Sequence, residues 1–135
     1  MKRETLPDGE IRLVADDLTF TFRRLRRADT LLVTVTGYDR GQLGPAPLDE
    51  IAAAARLPRL ELFVDARAAT GVTTAVREEW TAWFQRHQAQ LARVHVLVSD
   101  RFMISVVHVA QHLARVGSLI QIHSDPATFE ALTHG

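Results

Sequence analysis

Residues 60–71 read Leu60-Glu61-Leu62-Phe63-Val64-Asp65-Ala66-Arg67-Ala68-Ala69-Thr70-Gly71, and this stretch decides the fold. A run of apolar residues meets an acidic residue, small and polar residues lead to a glycine, and an amphipathic segment follows. The run at 60–64 suits a strand covered on both faces, as in a parallel sheet, and residues 66–71 are predicted as a loop. From Thr73 to Leu91 apolar side chains recur at helical spacing, with Val76, Trp80, Trp83, Phe84, His87 and Leu91 forming one broad stripe. The order is therefore strand, loop, long helix.

The same alternation extends to both sides. Toward the C-terminus, 94–98 is a strand, 102–116 a helix closed by Gly117, 119–122 a short strand and 127–132 a final helix. Asp125 stands there as a capping carboxylate before Pro126. Toward the N-terminus, 48–57 is a helix stopped by Pro58, 38–47 a loop rich in glycine and proline, and 31–36 a strand closed by Gly37. The short apolar segment 11–15, the turn at Asp16-Asp17 and the alternating apolar and polar residues 18–22 form a β-hairpin at the sheet edge. The predicted fold class is α/β: a hairpin and four β-α units in a mixed, largely parallel sheet with helices. One domain spans 1–135, with the polar residues 1–10 expected to be flexible.

Composition narrows the function classes. In 135 residues, 47% are apolar and 24% charged, which suits one packed core. Sixteen basic and sixteen acidic side chains cancel, so no global field draws the chain to nucleic acid or to an anionic membrane. The absence of cysteine excludes disulfides, thiolate metal sites and a cysteine nucleophile. No apolar run is long enough to span a bilayer and the N-terminus has no signal-peptide core, so a cytoplasmic location is expected.

The strand and glycine near Gly37, the strand ending in Asp65, "LELFVDARAATG", the aromatic helix after it and "IQIHSDPATFEAL" together resemble a STAS (sulfate transporter and anti-sigma factor antagonist) domain of the stand-alone, anti-sigma factor antagonist-like branch. The resemblance covers about 11–132. It implies a STAS-like fold, a non-catalytic regulatory or protein-binding role, and a bacterial source. In phospho-regulated members, an acidic residue at this strand end is followed closely by a phosphorylated Ser or Thr. Asp65 matches the acidic position, but Ala66-Arg67-Ala68-Ala69 replaces the hydroxyl-bearing string, and the hydroxyls arrive late, at Thr73 and Thr74. These two are candidates for a phospho-switch or for the helix cap.

Ligands in open α/β sheets favour the crevice beyond the carboxyl ends of the parallel strands. Asp65, Ser99, Asp100 and Arg101 are the candidate binding rim there, with Thr73 nearby. Trp80 and Trp83 are candidate interface anchors: Trp80 shares a helix face with Phe84, whereas Trp83 stands about 100° from Phe84. His108 and His112 have the spacing of a metal-binding pair, yet a third ligand would have to come from His95 or His123, so a polar helix face is the preferred reading and no metal is assigned. No glycine-rich phosphate loop and no glycine-flanked serine elbow occurs, so no cofactor and no catalytic residue is assigned. The leading expectation is a module that binds a protein partner or a second copy of itself through the aromatic helix and the strand-end loops. The alternative is a small-molecule or lipid-binding domain.

Overall fold

The computed structural model describes residues 1–27, 29–54, 59–98 and 119–134. Among these residues, seven strands form one sheet in the order of the chain: β1 (Lys2–Thr5), β2 (Ile11–Ala15), β3 (Leu18–Arg24), β4 (Thr30–Asp39), β5 (Leu60–Val72), β6 (Leu91–Leu97) and β7 (Ile120–His123). Pairings from β1 to β4 are antiparallel and those from β4 to β7 parallel, so the sheet is mixed and the fold is α/β. Helices α1 (Ala46–Ala54), α2 (Thr74–His87) and α3 (Pro126–His134) accompany it. The helix expected over 102–116 lies outside the described residues.

Strand alternation sorts the side chains into two layers. Leu62 and Val64 of β5 join Val33, Val35, Val94 and Val96 beneath Leu48 and Ile51 of α1 and Trp83 and Phe84 of α2. Phe63 points the other way and packs with Leu97 and with Phe129 of α3. The helices therefore lie on both faces, α1 and α2 on one and α3 on the other. The central run at 60–64 is apolar on both sides because both sides are covered.

Three sequence expectations are corrected. Residues 2–5 are not loose but pair with β2, Lys2 opposite Val14 and Thr5 opposite Ile11. Their polar composition is that of an outermost strand, where charge discourages further pairing. Residues 66–71 are not a loop, because β5 continues to Val72 beside β4. Thr34 and Thr36 oppose Asp65 and Ala68, while Gly37 and Tyr38 oppose Ala69 and Gly71. One residue is thus extra on β5 at each of these two points, and small residues with glycine mark bulges here instead of a break. Finally, α2 stops at His87, whose Nδ1–H donates to the Trp83 carbonyl at 2.8 Å, and a 3-10 turn at Gln88–Gln90 delivers Leu91 into β6. Leu91 is buried as the first residue of a strand instead of the last of a helix.

Candidate functional site

The parallel strands do not end level. Pairing of β5 with β6 stops at Asp65 opposite Leu97, whereas β4 and β5 run on together to Asp39 opposite Val72. The carboxyl end of the sheet is thus stepped, and the candidate rim is divided between two levels.

On the projecting step, Thr73 follows Val72 and starts α2. Its side-chain oxygen accepts from the Val76 N–H at 3.3 Å, and its own N–H donates to the Asp39 carbonyl at 3.0 Å. Thr73 is therefore the N-cap, tied to the end of β4. Thr74, next along, is exposed. Beside them the Asp39 side chain is buried and its Oδ1 accepts from the Gly41 N–H at 2.9 Å. Burial pushes this carboxyl above its ordinary range, and the Gly41 hydrogen bond only partly offsets that. The turn after β4 is closed by Gln42, whose Nε2 donates to the Tyr38 carbonyl at 2.9 Å and whose Oε1 accepts from the Arg40 N–H at 2.6 Å. Arg40 extends over the Tyr38 ring, 5.6 Å from its centroid, toward Asp17.

On the lower step, Asp65 faces α3 and is occupied by Arg67. Arg67 Nε donates to Oδ1 at 3.1 Å and a terminal nitrogen to Oδ2 at 2.8 Å, and the guanidinium also lies 3.6 Å from Glu130 of α3. Asp65 and Thr73 are separated by extended chain on the order of 20 Å long, so they do not share one pocket. Ser99, Asp100 and Arg101 lie outside the described residues, as do His108 and His112.

The aromatic rings of α2 point inward. Trp83 is only 5% exposed and belongs to the core, edge-on to Phe84 and stacked on His87 at 4.2 Å. Trp80 is half-buried, stacked on Phe20 at 5.9 Å. The surface that α2 offers is its polar side, where Thr74, Glu78, Glu79, Gln85 and Arg86 are exposed.

Sequence reasoning missed a polar cluster under α3. His95 and His123 are 4% and 7% exposed, and Nδ1 of His95 lies 3.1 Å from Nε2 of His123. Nε2 of His95 lies 3.2 Å from Glu61 Oε2, and Glu61 Oε1 pairs with Arg27 at 2.5 Å. Phe63 stacks on His95 at 4.5 Å. The signal was present as histidines in two neighbouring apolar strands, at 94–98 and 119–123, but it carries weight only once the strands are paired. Among the described residues, no group of three or more His, Asp or Glu is placed to hold a metal ion, and no helix is long and apolar enough to cross a membrane.

No protein-family model matches the chain, and no curated protein matches it significantly. Solved structures do. An uncharacterized protein of the DUF3478 family with a SpoIIAA-like fold, from Shewanella loihica, is similar at a TM-score of 0.60 and 13% identity, over 90% of this chain and 98% of that one. An anti-sigma factor antagonist from Mycobacterium paratuberculosis is similar at a TM-score of 0.54 and 14% identity, over 98% of this chain and 100% of that one. At such identities the likeness is one of fold, and at that level it supports the resemblance seen in residues 60–71 and 120–132.

Proposed function

We propose that the chain is a non-catalytic regulatory module that binds a protein partner, a second copy included, through the projecting step of the sheet. The observation that carries this reading is the end of the β4–β5 ribbon. There a capped helix start, anchored to the end of β4, presents exposed Thr74 and the polar side of α2. The contact is then charged and hydroxyl-bearing, since Trp80 and Trp83 serve the core. A phosphate on Thr74 would stand at the first turn of α2, where free amides and the helix dipole favour negative charge, and would change the charge of the contact. Association of this kind draws its specificity from complementary charge. The small-ligand alternative needs a rim whose polar groups converge, and Asp65 and Thr73 stand on different steps, so no specific observation favours it.

The test pairs light scattering with quantitative affinity isolation from the source cells. Wild type is compared with a Thr74→Glu, Glu78→Arg, Glu79→Arg variant whose fold is checked by circular dichroism. A self-association, or one reproducibly enriched and identified protein, that is weakened at least about tenfold in the variant supports the reading. Equal binding by the variant, or a monomer with no enriched protein, overturns it.

A further inference from the structure

The histidine pair under α3 has a fixed proton arithmetic. Glu61 can only accept, so Nε2 of neutral His95 carries the hydrogen that meets it at 3.2 Å and Nδ1 is left as an acceptor. His123 must therefore place its hydrogen on Nε2 to fill the 3.1 Å contact. One added proton is accommodated: His95 becomes a donor at both nitrogens and His123 moves its hydrogen to Nδ1. A second proton leaves two N–H groups facing each other in a buried site, with both rings charged.

This pair sits in the seat of α3. The ring of His123 meets Phe129 edge-on at 5.9 Å, and Phe129 also meets Phe63 edge-on at 5.6 Å. The polar chain continues from His95 through Glu61 to Arg27, which reaches the Leu132 carbonyl at the end of α3 at 3.5 Å. The charged groups around the pair, among the described residues, are Glu61 on β5, Arg27 before β4, Asp65 and Arg67 on β5, and Asp125 and Glu130 at α3. Asp65, Arg67 and Glu130 are engaged with one another, and Asp125 caps α3 through the Ala127 N–H and the Thr128 hydroxyl. Among the described residues Glu61 is therefore the one carboxylate that touches the pair, and it is already shared with Arg27, so two positive rings would face each other with no second counter-charge.

We propose that His95 and His123 form an acid-sensitive latch for α3: the helix stays seated while the pair holds no more than one extra proton and is released when both rings are charged. This inference goes beyond the docking surface and does not rest on it. The direction of titration agrees, because burial first, and the His95 charge second, hold His123 below the ordinary histidine value of 6.5. A group lowered in this way stabilises the folded state fully above the unfolded value, and that stability is lost as pH falls below it. Release would uncover Phe63, Leu97 and Phe129, the apolar layer on that face.

Two measurements decide it. Nitrogen NMR of the rings in the unmodified chain at about pH 8 should find the hydrogen on Nε2 of both histidines. A hydrogen on Nδ1 of His123 overturns the arrangement. Hydrogen exchange, corrected for intrinsic chemistry, should show α3 protection falling roughly tenfold from about pH 8 to about pH 5, with α1 and α2 unchanged. In His123→Gln, which keeps a donor toward His95 but cannot charge, α3 protection should stay level. No α3 loss in wild type, an equal loss in His123→Gln, or an equal loss in α1 and α2 overturns the latch. If the variant does not fold, the wild-type NMR and exchange data decide alone.

Discussion

At Gly37 the backbone has φ of 101°, and a Cβ built there would stand 2.1 Å from the Asp17 carbonyl oxygen. Two constraints therefore fall on one residue. The left-handed conformation disfavours any side chain, and the hairpin turn at Asp16-Asp17 leans on this point of β4. Since the contact is with backbone, no side-chain rotation relieves it. Gly37→Ala should destabilise the chain by about 3 kcal/mol, with the loss concentrated in the β3–β4 contact, and chemical denaturation of the two proteins measures it. Gly71 differs in kind. A Cβ there would meet the Tyr38 ring at 2.5 Å, and that ring can move. The sequence marks both glycines as breaks, but the reason for each, an approaching carbonyl or an overlying ring, comes from partners distant in the chain.

Helix α2 is recognisable by its sequence, but the side it turns outward depends on the sheet beneath it. Its start is readable, because Thr73 precedes the apolar stripe and supplies the cap. Thr73→Ala should cost about 1 kcal/mol of stability and Thr73→Ser much less, as thermal or urea unfolding would show. Its outward face was harder to read. Helical spacing puts Trp80 and Trp83 in different directions, but the sheet beneath is wide enough to receive both, with Phe20 under Trp80 and the core around Trp83. The strand β5 poses the opposite problem: Ala66 to Thr70 carry no alternating pattern, since bulges break the period that alternation requires. The histidine pair was hidden for a third reason. Its members are 28 positions apart and meet only because β6 and β7 lie side by side. Apolar strands, caps and the α/β order are local properties; steps, bulges and paired histidines are properties of register.

At the scale of the molecule, every strand among the described residues is hydrogen-bonded to its neighbours in sequence, and the outermost of these strands are the first and the last. Stability is then distributed unevenly along the sheet. β1 is mostly exposed and adds little apolar burial, so removing residues 1–5 should leave a folded chain weakened by only about 1–2 kcal/mol in thermal melts monitored by circular dichroism. At the opposite margin, β7 and α3 cover Phe63 and Leu97, and nothing else among the described residues joins that apolar layer except Leu25 and Leu32. The two margins therefore differ: one is a dispensable polar border and the other carries a second, smaller core.

The sequential strand order also has a consequence during synthesis. A chain emerging from the ribosome holds the antiparallel meander β1 to β4 complete once Asp39 is out, before any crossover has been made. Each later strand among the described residues adds to an edge already in place, so none of these strands has to wait for a distant partner. Until α1 and α2 arrive, however, the nascent meander carries Phe20, Phe22, Val33 and Val35 on one uncovered side. Between residue 39 and residue 87 the growing chain thus carries an apolar sheet face that its own helices have yet to cover.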